Sequence, residues 1–164
     1  MTPIAAIVRE KLDSASRRLL EEIRNPALYA FIEEAVNLTE PDKIRVFSDS
    51  SKDIAKIRRL ALNGGGEHPL KMEGHTYHFD GPNDQGRDPF STRYLLPKDM
   101  DLGASLNSID RTEGLGEVKG FLKGSMRGKT MLICFWCLGP LHSDFSIPCV
   151  QITGNIGYPK GPKI

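Results

Sequence analysis

Three groupings of reactive side chains stand out in this sequence of 164 residues. The first is Cys134-Phe135-Trp136-Cys137, formally a C-x-x-C. Redox proteins use that spacing at a helix N-terminus, where both sulfurs face one way and the helix dipole lowers the thiol pKa. Here the run is β-prone and no helix follows it. Three residues along a strand send the two thiols to opposite faces, too badly aimed for a disulfide, so small apolar core fillers are the simpler reading. The second grouping is His75 with His78. On a strand these also diverge, and His68 and His142 stand at no metal-motif spacing, so no zinc site is expected. The third is Gly128-Lys129-Thr130, which ends like a phosphate loop. Its upstream Gly124 is one residue too close for G-x-x-x-x-G-K-[ST], and a strand rather than a helix follows. No Ser-His-Asp set is recognisable.

The elements that must position any chemistry follow from periodicity and punctuation. Residues 4–23 carry Ile4, Ile7, Val8, Leu12, Ala15, Leu19 and Ile23 at three- and four-residue steps, which predicts one amphipathic helix ended by Asn25-Pro26. A second helix is expected over 28–38 and a short alternating strand over 43–47. The cluster Ser48-Asp49-Ser50-Ser51 is a good N-cap for a helix over 52–62, closed by the Gly64-Gly65-Gly66 run. Residues 67–97 are rich in Gly, Pro, Asp, His and Asn, with a strand-like island at 76–79. A segment that long and irregular is either disordered or a binding element. Residues 107–123 read as helix interrupted by Gly114 and Gly116. Two strands, 130–138 and 145–153, flank a turn built on Gly139-Pro140 and His142-Ser143-Asp144. The fold class expected is α/β, a mixed β-sheet flanked by helices, with strands at 43–47, 76–79, 130–138 and 145–153.

Composition narrows the setting. The formal net charge of +1 offers no attraction for nucleic acid or an acidic membrane. No apolar run approaches the ~20 residues of a bilayer span, and residues 1–14 show no secretory signal pattern. Three cysteines do not make a disulfide framework, so the cytoplasm is the expected compartment.

The literal residues go further. Met126, Gly128, Lys129, Thr130, Met131, Gly139, Pro140, Ser143, Ser146 and Gln151-Ile152-Thr153 fall in order and spacing on a segment of the GTP-dependent phosphoenolpyruvate carboxykinases. That segment runs roughly M-x-G-R-T-M-x-[VI]-x-[FP]-F-x-x-G-P-x-x-S-x-x-[ST], followed by a [GQ]-[IV]-[EQ]-[LI]-T strand. Upstream, Gly66-Glu67-His68-Pro69-Leu70, Lys71-Met72-Glu73-Gly74-His75-Thr76-Tyr77-His78-Phe79-Asp80-Gly81 and Asp84-Gln85-Gly86-Arg87-Asp88 are similar to the archaeal-type branch of that family. The chain resembles the N-terminal, substrate-side domain over residues 1–153, closely from about Asp42. Residues 154–164 form a tail that departs from the family pattern.

The resemblance implies the following. The family converts oxaloacetate and GTP to phosphoenolpyruvate, GDP and CO₂, a lyase reaction of gluconeogenesis. A cation on a loop of the opening domain grips the substrate, and an acid two positions on couples loop closure to a lid. Anchoring on Thr76 puts Lys71 at the cation's position and Glu73 at the acid's. Lys keeps the charge of the Arg found outside the archaeal branch but lacks its bidentate fork. Arg87 is a second candidate for substrate binding. GTP and Mn²⁺ or Mg²⁺ are the implied cofactors, with their ligands and the phosphate loop outside this chain, so no catalytic or metal residue is assigned within it and the chain alone is expected to be inactive. The implied partners are oxaloacetate or phosphoenolpyruvate; assembly with a separate C-terminal nucleotide-binding chain is carried as an alternative. Two other functions are carried: a non-catalytic truncated remnant or scaffold binding a small dicarboxylate, and a thiol redox protein using Cys134 and Cys137.

Overall fold

The computed structural model describes residues 3–64, 67–79 and 92–154. They group into two units, one of residues 1–78 with 124–164 and one of residues 79–123.

The larger unit opens with α1 (Ala6–Lys11) and α2 (Ser14–Ile23). The single helix expected over 4–23 is therefore two. Leu12 is extended (φ −83°, ψ 137°) and bridges Ile44 in parallel. Asp13 then restarts the helix as an N-cap, its carboxylate accepting from the Ser16 N–H at 2.7 Å. The break has a use. The buried Ser16 hydroxyl accepts from the Val46 N–H at 2.9 Å, so Leu12 and Ser16 together cover the outer edge of the first strand.

Asn25 caps α3 (Pro26–Thr39), whose first residue is the proline that needs no N–H partner there. Tyr29 ties α3 to α2 through a buried hydrogen bond from its hydroxyl to the Leu20 carbonyl, 2.8 Å. Strand β1 (Lys43–Phe47) follows, then α4 (Ser51–Asn63), capped by Ser50. The short strands β2 (His68–Pro69) and β3 (Thr76–Tyr77) form a hairpin of their own. The island at 76–79 is thus not part of the main sheet: its N–H and C=O groups pair locally with His68 and Pro69.

In the second unit, β4 (Tyr94–Leu96) and β5 (Ser108–Asp110) pair in parallel and lead into α5 (Arg111–Leu122). The stretch 107–123 reads from the sequence as helix interrupted by Gly114 and Gly116. Instead Ser108–Asp110 is strand, and Asp110 caps the helix by accepting from the Thr112 and Glu113 N–H groups. Gly114 and Gly116 do not interrupt α5. Gly114 is buried where the helix meets its strands, and a Cβ there would stand 3.0 Å from both Leu95 Cγ and Ile109 Cγ2.

The chain returns to the larger unit for β6 (Thr130–Leu138) and β7 (Ile147–Thr153). The three-stranded sheet has the order β1-β6-β7, parallel between β1 and β6 and antiparallel between β6 and β7. This is the mixed sheet with helices anticipated from the sequence. Its register places Ile44 beside Met131 and Val46 beside Ile133 on one face. That face packs with Val8, Leu20, Tyr29, Ile32 and Val36 from the three N-terminal helices to make the core. Burying each such side chain contributes about 1.5–3 kcal/mol.

Candidate functional site

The β2–β3 hairpin carries the residues singled out for substrate binding. Its closing turn is held by the Leu70 N–H donating to the His75 carbonyl (2.9 Å) and the His75 N–H donating to Met72 (3.2 Å). Gly74 sits at φ +77°, a conformation in which a side chain is strained. His75 Nδ1 lies 3.1 Å from the Glu73 carbonyl, and the Thr76 hydroxyl donates to the Glu67 carboxylate at 2.8 Å. The His68 and Tyr77 rings face each other across the ladder, 5.2 Å between centroids. Backbone and flanking side chains thus fix the turn, while Lys71 and Glu73 point into solvent with no ion-pair partner among the described residues. Arg87 lies outside the described residues.

Among the described residues, His75 and His78 included, no three His, Cys, Asp or Glu side chains converge on a metal position. The described residues therefore offer no ligand set for the Mn²⁺ or Mg²⁺ that the resemblance implies.

The segment 124–130 acts as a fastener for α3. The Gly124 N–H donates to the Leu38 carbonyl (2.8 Å) and the Met126 N–H to Thr39 (2.9 Å), satisfying carbonyls that the helix end leaves open. Arg127 forms a two-pronged pair with Glu40, Nε to Oε2 at 2.8 Å and Nη2 to Oε1 at 2.9 Å. Glu40 hydrogen-bonds first, and adds its charge, to raise the Arg127 pKa further. Asp42 accepts from the Gly128 N–H at 3.0 Å. Lys129 Nζ donates to the Ser125 carbonyl (2.9 Å). The Gly-Lys-Thr sequence is therefore a turn leading into β6, with its lysine folded onto its own backbone.

At the far end of β6 the Gly139-Pro140 turn is internally bonded. The Ser146 hydroxyl donates to the Pro140 carbonyl and accepts from the Ser143 N–H, while the Ser143 hydroxyl accepts from the Phe145 N–H. Gly139 has φ +86°, and a Cβ there would meet the Phe145 carbonyl oxygen at 2.7 Å. The three cysteines are free and half-buried. Burial pushes the Cys134 thiol up, away from the thiolate that redox chemistry needs. Sequence reasoning passed over the Arg127–Glu40 pair, because 87 residues separate its partners.

No helix among the described residues is long and apolar enough to cross a membrane. The family of the phosphoenolpyruvate carboxykinase N-terminal domain matches residues 30–156. The chain is 42% identical over 148 residues to the phosphoenolpyruvate carboxykinase [GTP] of Pyrococcus horikoshii, covering 90% of this chain and 24% of that protein. The Thermococcus sibiricus protein of the same name is 39% identical over 155 residues, covering 94% and 25%. That of Saccharolobus solfataricus is 40% identical over 136 residues, covering 83% and 22%. The chain thus spans about a quarter of the length of these curated relatives. With a match over most of its residues, the chain belongs to the phosphoenolpyruvate carboxykinase N-terminal domain family.

Proposed function

We propose that this chain is the substrate-side part of a GTP-dependent phosphoenolpyruvate carboxykinase, which converts oxaloacetate and GTP to phosphoenolpyruvate, GDP and CO₂. One observation carries the reading: a hairpin whose backbone is fastened at both ends of its turn presents the Lys71 ammonium outward. Decarboxylation of oxaloacetate leaves an enolate, and transfer of a phosphoryl group to it is mainly a matter of positioning and charge neutralisation. Lys71 supplies a positive charge to the substrate carboxylate. Arg87 would add a second cation, and Glu73, two residues from Lys71, takes the role of coupling the turn to closure. Nucleotide and metal binding belong to the part of the relatives that this chain does not span, whether as a continuation or as a separate nucleotide-binding chain. The cytoplasm is the compartment that suits this chemistry.

Calorimetric titration with oxaloacetate and with phosphoenolpyruvate tests the site. Lys71→Ala is expected to weaken binding about tenfold, equivalent to ~1.4 kcal/mol. Unchanged affinity in that variant removes Lys71 from the site. A dicarboxylate-binding module without catalysis would give the same titration and differs only in lacking turnover when the remainder of the enzyme is supplied. The thiol alternative finds no support in the burial of Cys134.

A further inference from the structure

We propose that the outer half of the β6–β7 hairpin is the docking surface for the polypeptide that follows this segment in the carboxykinase relatives. The inference rests on reading the chain as one part of such an enzyme. It concerns a different face from the Lys71 turn.

Strand β1 accompanies β6 only as far as the pair Phe47 and Cys134. Beyond that point β6 has β7 as its sole partner among the described residues, so Phe135–Leu138 and the strand opposite project as a two-stranded ribbon. A ribbon of that kind is marginal in water by itself. Its side chains are nonetheless apolar: Trp136 is 57% exposed, Leu138 59%, Leu141 72%, Phe145 81% and Ile147 58%. The pairing of Leu138 with Ile147, and the two-residue step back to Trp136, put these three on one face. It is the face opposite the one that Met131 and Ile133 turn to the helical core. Contiguous apolar surface of this sort marks an interaction site.

Length and order favour one occupant. The relatives carry about three quarters of their length beyond what this chain spans, and the matching family is described as an N-terminal domain, which favours the polypeptide after it in chain order as the occupant. β7 is also the edge of the sheet among the described residues. Pro148 within it suits an edge that avoids adding a strand, which disfavours a second copy pairing edge to edge and leaves side-chain docking onto the Trp136 face.

Trp136 is the sole tryptophan of this sequence and supplies the probe. The chain is labelled with 5-fluorotryptophan and compared with a fusion in which it precedes the remaining three quarters of the Pyrococcus horikoshii relative. The Trp136 signal in the fusion is assigned by its loss in Trp136→Phe. The fluorine shift between H₂O and D₂O is expected to be large in the chain alone and to fall severalfold in the fusion. Leu138→Asp with Phe145→Asp is expected to lower the melting temperature of the fusion by about 5 °C or more, and that of the chain alone by about 1 °C or less. The proposal is overturned by a Trp136 signal that stays open to solvent in the fusion. Equal effects of the charge pair on chain and fusion overturn it too. So does a chain that already shields Trp136 by dimerising alone, or a fusion that fails to melt cooperatively where the relative itself does. Titrating oxaloacetate into the same fusion with Lys71→Ala keeps failure of the substrate reading separate, since that result does not depend on Trp136.

Discussion

Ser16 does more for this structure than its size suggests. Its buried hydroxyl is the partner of the Val46 N–H on the strand edge. Ser16→Ala would leave a backbone donor buried without a partner, a loss of about 1–3 kcal/mol. The expected result is a drop of several degrees in the thermal midpoint, with Ser16→Thr falling less if its hydroxyl keeps the bond. Lys71 illustrates a different kind of residue, one whose environment is open and whose role depends on charge. Lys71→Arg should preserve oxaloacetate binding in the titration where Lys71→Ala loses it, because a guanidinium retains the charge and adds a second donor. The types and order of these residues were legible in the sequence. The partner of Ser16 was not, because it lies 30 residues further along the chain, on a strand.

Among the elements, helix ends and turns respond most sharply to change. Asp13 and Asp53 both have carboxyls held below the ordinary 3.8. For Asp13 the main cause is the Ser16 N–H, and for Asp53 the Ser48 hydroxyl followed by the Ser48 N–H. A carboxyl lowered in the folded state favours folding fully above its unfolded value, and that contribution is lost as pH falls below 3.8 through the folded value. Stability measured by denaturant titration should therefore fall on the acid side of 3.8, and Asp13→Asn with Asp53→Asn should lessen that fall. The amide in place of Asp13 still caps α2 and that in place of Asp53 still offers an acceptor to Ser48, but neither titrates. Gly139→Ala is expected to cost about 1–3 kcal/mol through its positive φ, and more if the Phe145 carbonyl does not shift. Chemical denaturation monitored by Trp136 fluorescence reads both the loss and any loosening of the hairpin. Strands 43–47 and 130–138 and the helix after Ser50 were readable from alternation and caps. The break at Leu12-Asp13 was concealed, because residues on both sides keep the same helical spacing. The strand at Ser108–Asp110 was concealed by its brevity next to a helix.

For the whole molecule, the expectation is catalytic silence in isolation. A coupled assay following GTP-dependent formation of phosphoenolpyruvate from oxaloacetate should give no rate above the protein-free control. Turnover by the purified chain would overturn the assignment of nucleotide and metal binding to the rest of the enzyme. The same view accounts for the apolar ribbon beyond Cys134, which a chain evolved to stand alone in water would be expected to cover or charge.

The sequence by itself determined the family, the mixed α/β class, the two long strands and the turn glycines, because each is set by local preference or by residues in fixed order. Only the tertiary structure decided that the Thr76–Tyr77 strand leaves the main sheet for a hairpin with His68–Pro69. It alone revealed that Arg127 reaches Glu40, that the Gly124 and Met126 N–H groups close the end of α3, and which side chains of β6 lie open. Such pairings depend on contacts between segments far apart along the chain, and local patterns of residue type do not encode which distant surface will come to meet them.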